Sequence, residues 1–405
     1  MTIASLQLAQ AAQTAEAACG GAPQTVPGTP GAIDAALLQA LLRDIRARAA
    51  EFEQQRHISQ DIVDGFKRIG VYRALVPKRL GGSEWSAHQF CELIETISQA
   101  DGSAGWVASF GMAPTYLAAL PRATFEQIYT DDIDTVFAGG IFPPQPAFYV
   151  DGGIQVSGRW SFSSGCMGAT VMGVGISPRK GDATGLPRMA VIPREQVQIV
   201  QSWDVSGLAG TGSHDLVVED VVVPEDWTFV RGGASNLDEP MFRYPTLAFA
   251  AQVLAVVNLG IGRAAIDELR RLAGGYKAVT GAPTLGDRPV TQTQLGHAEA
   301  QLRSARSWFF DAIDDAWESL LVGDPVSREQ TNMLRLSASH AARVGAEVAR
   351  SMQMLSGMAG IYNSSPLARC VRDANAVTQH AFLGDVTFQN GGAMLFGRDP
   401  LPGYL

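Results

Sequence analysis

The chain has 405 residues, a formal net charge of −9 at pH 7 and a pI near 5.2. An acidic chain without a cluster of basic residues disfavours a nucleic-acid partner and an anionic membrane surface. With 46% hydrophobic and 18% charged residues it is globular in composition, and its length suggests more than one core. Its cysteines, Cys19, Cys91, Cys166 and Cys370, lack CxxC spacing. We therefore expect no disulfide and no metal site, and place the protein in the cytoplasm.

The beginning of the chain changes from a biased composition to a helical pattern. Residues 1–31 are rich in Ala, Gln, Gly, Pro and Thr and are predicted to be a flexible tail. From Ile33 onward, apolar residues recur three and four positions apart, which indicates helices. Ser86 precedes one such run as a predicted N-cap. The sequence thus predicts an N-terminal α-helical domain over residues 32–135.

In the next part of the chain, apolar residues recur at every second position in place of the helical spacing. This pattern predicts six strands, Val136–Ile141, Ile154–Phe162, Thr170–Ile176, Arg188–Ile192, Val197–Val200 and His214–Val223. No helices of 10–15 residues alternate with these strands, so a βαβ arrangement is excluded and an antiparallel sheet or barrel is expected. The predicted β domain spans residues 136–240.

The remainder, residues 241–405, predicts an up-and-down four-helix bundle. Its helical segments are Leu247–Leu272, Thr291–Leu321, Val326–Gly357 and Leu367–Phe382. The apolar part of the first segment is interrupted by Gln252, Asn258 and Arg263, which favours a buried helix over a membrane span. Arg263 has two open interpretations, a contact to a flavin phosphate or substrate, and an ion pair between helices.

The most informative motif is GRWSFSSG at Gly158–Gly165. It predicts a strand end with two hydroxyls, Ser163 and Ser164, beside the aromatic Phe162. A flat ligand with a polar rim, such as an isoalloxazine, requires an apolar face and a few hydrogen bonds at its edge. The same octet is also compatible with an ordinary serine-rich strand end. No strand is followed by GxGxxG, and no P-loop, HExxH or GxSxG occurs.

The order of helical domain, antiparallel sheet and four-helix bundle resembles the α+β fold of the acyl-CoA dehydrogenase superfamily. Four motifs resemble that superfamily in the same order: VPKRLGG at 76–82, DGSAGW at 101–106, VEDVVVP at 218–224, and the segment 353–360 with the Arg372-Asp373 pair after it. Each motif alone is modest, and their order and spacing make the resemblance specific. We expect Arg372 and Asp373 to form a structural ion pair.

Within the superfamily, Gly105–Ser109 and the octet Gly158–Gly165 resemble the flavin-dependent monooxygenase branch. The resemblance implies the oxygenase component of a two-component system, which hydroxylates an aromatic or heteroaromatic molecule through a C4a-hydroperoxyflavin. It implies reduced flavin (FADH2 or FMNH2) and O2 as cofactors, a separate NAD(P)H flavin reductase as partner, and a homo-oligomer, as a tetramer or at least a dimer. By the same resemblance Ser163 would face flavin N5 or O4. The implied cofactor-binding residues are Trp106, Phe162, Ser163, Ser164, Gln353 and Gly357.

The position of the family's catalytic glutamate, about nine residues after the Arg-Asp pair, holds no carboxylate here; its neighbour is His380. An imidazole near this position suits proton handling in a monooxygenase, so His380 is the predicted catalytic residue, with Asp385 to orient it. Met112 and Phe382 are predicted walls of the substrate pocket. A helix-end histidine bonded to a carbonyl and a solvated loop carboxylate are the structural alternatives for His380 and Asp385. The role of His214 stays open.

Two departures from the family pattern bear on substrate and cofactor. Phe110–Pro114 lacks the histidine that relatives acting on phenols often carry, which favours an indole-like or thiophene-like ring. Tyr276–Gly286 lacks the family's Arg-x-x-Phe-Gly motif, which suits a flavin held loosely as a co-substrate. Two other functions remain open: a dehydrogenase-type flavoprotein that oxidises an acyl-CoA thioester, and a non-catalytic scaffold of the same fold.

Overall fold

A computed structural model describes residues 33–180, 183–184, 187–230, 232–274 and 283–405. The predicted tail at residues 1–31 and most of the segment Tyr276–Gly286 lie outside the described residues. The first helices are α1 (Ala35–Gln55), α2 (Gln60–Ile69), α3 (Ala87–Ser98), α4 (Gly102–Ser109), α5 (Ala113–Leu117) and α6 (Arg122–Asp131). The predicted boundary near residue 135 falls between α6 and the first strand.

Local capping fixes where two of these helices begin. The Ser86 hydroxyl accepts from the Gln89 backbone N–H, and the Gln89 side chain accepts from the Ser86 N–H, forming a capping box for α3. The Asp101 carboxylate accepts from the Ala104 N–H and starts α4. A Cβ at Gly105 would lie 1.9 Å from Ser98 Oγ, so α3 and α4 pack this closely only because position 105 is glycine. This contact fixes the position of Trp106, the next residue.

The strands form one eight-stranded sheet in the order β6-β7-β2-β1-β3-β5-β8, with β4 paired to β3. Their bounds are β1 Phe137–Val150, β2 Gly153–Ser163, β3 Val171–Lys180, β4 Ala183–Thr184, β5 Arg188–Pro193, β6 Gln198–Val200, β7 His214–Val223 and β8 Thr228–Val230. All six predicted strands are present. The short strands β4 and β8 were not predicted from the sequence.

The sheet is mixed, which corrects one detail of the predicted antiparallel arrangement. Strands β1 and β3 run parallel, with Phe137 beside Val171 and Gly140 beside Val174, whereas the other pairs are antiparallel. The hairpin β1–β2 and the return to β3 on the other edge of β1 produce this parallel pair. Side-chain alternation specifies which residues face the core but does not specify strand direction.

The C-terminal part is helical, with α7 Pro240–Arg243, α8 Thr246–Ala273, α9 Pro289–Leu321, α10 Arg328–Leu355, α11 Pro366–Thr378 and α12 Asp385–Leu395. Helices α8 to α11 correspond to the predicted bundle, and α12 was not predicted. Helix α11 ends at Thr378, so His380 lies in the link to α12 and not within a helix. Helix α8 is long and apolar enough to span a membrane, but 89% of its most apolar window is buried in the fold, as in a core helix.

Candidate active site

A chain of side-chain hydrogen bonds joins α4 to the end of β2 and the loop before β7. Trp106 Nε1 lies 3.1 Å from Ser164 Oγ, Ser164 Oγ lies 2.7 Å from Ser213 Oγ, and Ser213 Oγ lies 2.7 Å from Thr211 Oγ1. The Thr211 hydroxyl is 2.8 Å from the Leu208 carbonyl oxygen. All four side chains are buried. We call this set of residues, Trp106, Ser164, Ser213 and Thr211, the hydroxyl relay.

The direction of the hydroxyl relay is fixed by its two ends. The indole N–H of Trp106 can only donate, and the Leu208 carbonyl can only accept. Each hydroxyl proton therefore points from Ser164 toward Leu208, and Ser164 Oγ keeps a free lone pair. Toward any ligand beside it, Ser164 is consequently an acceptor.

His380 and Phe382 lie next to Trp106. The His380 ring makes an edge contact with Trp106 at 5.8 Å between ring centroids and a second edge contact with Phe382 at 5.1 Å. His380 Nδ1 accepts from the Phe382 backbone N–H over 3.3 Å, so the proton of the neutral imidazole is on Nε2. The structure thus brings together three of the predicted site residues, and it presents the imidazole as a hydrogen-bond donor.

Phe162 provides a flat apolar surface close to the hydroxyl relay. Its side chain is 70% exposed, and its backbone has φ +65°, a conformation that is costly for a bulky residue. Its ring meets Trp203 edge-on at 6.1 Å. A strained backbone that holds an aromatic ring in solvent points to a ligand that covers the ring.

Ser163 and His214 are paired across β2 and β7 and both are buried. Ser163 Oγ faces β1, since a Cβ at Gly140 would lie 2.9 Å from it, and it has no hydrogen-bond partner. His214 Nδ1 accepts from the Trp203 N–H over 3.1 Å, and its Nε2 has no partner. Burial, with the nearby His57, lowers the pKa of His214. The hydroxyl that bonds to Trp106 is that of Ser164, whereas Ser163, which is predicted to face the flavin, lies against β1.

Asp385 does not accompany His380, contrary to the prediction that it orients the imidazole. Its side chain is 89% exposed and accepts from Arg343 over 2.6 Å. Asp385 begins α12 and is directed toward α10, so it has the role of a surface ion-pair partner. This position matches the alternative interpretation of Asp385 as a solvated carboxylate.

Gln353 and Gly357 lie at the C-terminal end of α10, apart from the hydroxyl relay. Gln353 Nε2 donates to the Gly360 carbonyl over 2.9 Å, and Gly357 has φ +60° and is exposed. Gln353 is about 27 Å along the helix from Arg335, which contacts Phe382. Within one chain the structure does not place these two predicted cofactor-binding residues beside Trp106.

The remaining predicted residues also have defined places. Met112 is buried just beyond α4. Arg263 donates to both carboxylate oxygens of Glu299 at 2.8 and 3.1 Å, so it joins α8 to α9. Arg372 and Asp373 do not pair with each other as expected: Arg372 bonds Glu53, and Asp373 accepts from the Leu208 N–H.

A cleft of about 430 Å³ lies at the start of α4, and its walls include Asp101, Asp373 and Cys370. The two carboxylates are buried close to each other, and burial raises the pKa of both. Asp373 Oδ1 is 2.6 Å from the Leu208 nitrogen, and Leu208 accepts the last bond of the hydroxyl relay. Asp373 therefore supports the loop that carries the hydroxyl relay.

Sequence reasoning missed Thr211, Ser213 and Arg335. The first two looked like polar loop residues after a glycine-rich turn. Arg335 looked like one of many arginines in an alanine-rich helix, yet it is only 4% exposed. A polar residue at an apolar helical position was the available signal in the last case.

The described residues meet the requirements of a flavin. They supply an exposed aromatic face at Phe162, an oriented acceptor at Ser164, and a buried polar atom without a partner, Nε2 of His214. Unpartnered buried polar atoms are uncommon in folded proteins and often mark a missing ligand. A ring system with an apolar face and polar rim suits this combination.

Comparison with known proteins agrees with the fold. Residues 32–123 match the N-terminal domain of acyl-CoA dehydrogenases and residues 252–384 match the C-terminal domain. The crystal structure of 3-HSA hydroxylase from Rhodococcus sp. RHA1 is similar with a TM-score of 0.84, at 27% identity, over 91% of this chain and 98% of that one. The chain belongs to the acyl-CoA dehydrogenase family.

Three relatives narrow the class of protein further. Indole-3-acetate monooxygenase of Pseudomonas putida is 66% identical, and that of Acinetobacter baumannii 56%, each over 91% of this chain and 95% of the relative. The flavin-dependent monooxygenase oxygenase subunit HsaA of Rhodococcus jostii is 30% identical over 85% of this chain and 93% of the relative. The protein is accordingly an enzyme, the oxygenase component of a flavin-dependent monooxygenase.

Proposed function

We propose that this oxygenase component hydroxylates an indole that carries an acidic side chain, of the indole-3-acetate type. The main support for this proposal is the 66% identity to an indole-3-acetate monooxygenase over 91% of the chain. The edge-on series Trp106, His380 and Phe382 supports it, because it offers apolar ring surfaces to a flat aromatic substrate. The absence of a histidine in Phe110–Pro114, which disfavoured a phenol, agrees with this choice.

Reduced flavin and O2 are the cofactors of the reaction. When bound, reduced flavin supplies the two electrons with which O2 gives one oxygen atom to the ring and releases the other as water. Phe162 would cover a face of the flavin ring, and Ser164 would accept a hydrogen bond from its rim. An acceptor suits reduced flavin, which carries an N–H donor at N5 that the oxidised ring lacks. The hydroxyl relay thus favours the reduced form.

His380 would hold the oxygen that is transferred. With Nδ1 accepting from the Phe382 N–H, Nε2 carries the proton and is the hydrogen-bond donor of the ring. A donor stabilises negative charge that develops on an oxygen atom during transfer. The buried ring of Trp106 and the half-buried ring of Phe382 limit the access of water, which strengthens that hydrogen bond. We therefore assign His380 a donor role in place of the base first predicted.

The dehydrogenase alternative requires a carboxylate that takes the α-proton of a thioester. Asp385 is the acidic residue nearest to His380 in the sequence after α11, and it faces solvent and Arg343. The place of the family's glutamate is thus not filled by a neighbouring acid. This favours the monooxygenase, as do the relatives' names.

The proposed partners and location follow from the class. An oxygenase component receives reduced flavin from a separate flavin reductase, which explains the missing nicotinamide motif. We further propose a cytoplasmic enzyme that assembles as a tetramer and takes up flavin as a co-substrate. FAD and FMN are distinguished by measuring which reduced form binds more tightly.

A direct test uses the purified protein with chemically reduced flavin, O2 and indole-3-acetate. We expect a product 16 mass units heavier in ordinary O2 and 18 mass units heavier in 18O2, because the added oxygen atom derives from O2. The control reaction contains oxidised flavin and an acyl-CoA, and we expect no flavin reduction there. Flavin reduction by the acyl-CoA, with no oxygenated indole, would establish the dehydrogenase reading instead.

A further inference from the structure

Arg335 is a buried cation on the inner face of α10. Its residue is 4% exposed, and its Nε has no hydrogen-bond partner. Nη1 donates to the Leu247 carbonyl over 3.3 Å, a long bond to a neutral acceptor. The guanidinium also lies 5.4 Å from the ring centre of Phe382 and 5.0 Å from that of Tyr404.

No ion pair among the described residues involves Arg335. The nearby hydroxyl of Tyr404 does not supply the missing charge, since it bonds to Asn332 Oδ1 at 2.9 Å and burial raises its pKa to about 12. Burial lowers the pKa of Arg335 itself. A buried charge without a counter-ion is unfavourable, and buried arginines are normally paired. Cation–π contacts compensate for only part of this cost.

Arg335 lies one aromatic ring away from the candidate active site. The Phe382 ring contacts His380 on one side and the Arg335 guanidinium on another. Tyr116 also interacts with Arg335. It lies in α5, the helix that begins immediately after Met112. The arginine is therefore placed at the end of the aromatic region and not at the protein surface. Since the chain itself buries it, a partner subunit is poorly placed to supply the counter-ion.

We propose that Arg335 binds the carboxylate of the substrate and so selects an acidic indole over a neutral one. This inference rests on the proposed function, which supplies the acidic indole. A carboxylate accepts two parallel hydrogen bonds from a guanidinium, and the free Nε–H provides one of them. The aromatic ring of the same molecule then lies toward Phe382, Trp106 and His380.

The test compares binding of indole-3-acetate with binding of its neutral amide, indole-3-acetamide. The variants are Arg335→Met, Arg335→Lys and the control Arg343→Met. Arg343 is on the same helix but is half-exposed and pairs with Asp385. Dissociation constants are measured for each ligand by calorimetry, and product formation is measured separately. Circular dichroism and thermal melting verify that each variant is folded.

In the wild type, we expect the acid to bind at least tenfold more tightly than the amide. Arg335→Met should weaken acid binding by about a hundredfold and amide binding by about twofold at most. Arg335→Lys should recover part of the loss, and Arg343→Met should leave both constants unchanged. If Arg335→Met does not fold, the proposal is tested by the ratio of acid affinity to amide affinity in the wild type and by the same ratio in Arg335→Lys.

Equal affinity of the wild type for acid and amide, or an equal loss of both in Arg335→Met, would overturn the proposal and leave Arg335 a structural residue. Acid binding that depends on Arg335 without any oxygenated product would instead refute the proposed function and retain the binding role. The two failures are therefore distinguishable.

Discussion

Trp106 on α4 and Ser164 at the end of β2 are joined by a hydrogen bond of 3.1 Å between the indole nitrogen and the hydroxyl oxygen. The bond links the helical part of the chain to the sheet at the point where the two meet. It also sets the direction of the hydroxyl relay, which ends at the Leu208 carbonyl. One side chain thus both positions Ser164 and makes it an acceptor toward the ligand.

Ser164→Ala should weaken binding of reduced flavin and lower the yield of hydroxylated product per O2. The variant removes one acceptor, and a single hydrogen bond is worth about 0.5–1.5 kcal/mol, or roughly twofold to tenfold in affinity. Anaerobic titration with reduced flavin gives the affinity, and product and hydrogen peroxide are quantified after reaction.

The matched control is Ser163→Ala. Ser163 Oγ is buried against β1 without a partner, so removal of that hydroxyl should leave coupling unchanged and stability equal or higher. If Ser163→Ala impaired coupling more than Ser164→Ala, Ser163 would be the flavin ligand, as the family resemblance implied.

His380→Ala should reduce hydroxylation by about 10²- to 10⁴-fold while O2 is still consumed. The variant loses the Nε2–H donor, whereas the flavin site at Phe162 and Ser164 is retained. We expect the missing product to appear as hydrogen peroxide, measured alongside the product under single-turnover conditions. His340→Ala is the control, because that imidazole packs on Trp308 in the bundle. Full coupling in His380→Ala would make His380 structural and direct attention to His214.

The element types were largely predictable because periodicity reflects burial. Strand β3 buries Met172, Val174 and Ile176, and its predicted span began one residue before the observed strand and ended four residues before it. The parallel pairing of β1 with β3 was not predictable, because it depends on a contact distant in sequence. Helix α12 was missed since DVTFQNGGAML contains two glycines and weak helix formers.

The candidate site was predictable in type more than in detail. Ser163 and Ser164 are neighbours in sequence, and their different directions depend on φ +65° at Phe162 and φ +74° at Gly165. No side-chain pattern encodes these angles. Asp385 was placed near His380 by sequence distance alone, and the link after α11 turns it toward Arg343. The boundaries proposed at residues 135 and 240 remain predictions.

We expect the protein to be a tetramer, or at least a dimer, held in part by the end of α10 and the turn that follows. Met354, Met358, Ile361 and Tyr362 expose apolar side chains there, which favours contact with a second copy. Met358→Asp should lower the oligomer mass seen by sedimentation at micromolar concentration. Val322→Asp, in an exposed residue after α9, is the control. A wild-type monomer at that concentration would contradict the expectation.

Asp373→Asn should make thermal stability less dependent on pH between 6 and 9. Burial, with the neighbouring Asp101, raises the pKa of Asp373 to about 8. The folded state therefore holds a proton that the unfolded chain releases near its ordinary value of 3.8, and stability falls as pH rises through the window up to about 8. The asparagine keeps an acceptor for the Leu208 N–H and does not titrate.

We expect the wild-type melting temperature to fall by on the order of 5 °C more than that of the variant between pH 6 and 9. The control is Asp267→Asn, in an exposed residue of the same cleft. Parallel melting curves for wild type and Asp373→Asn across this range would show that the Asp101–Asp373 pair holds no such proton.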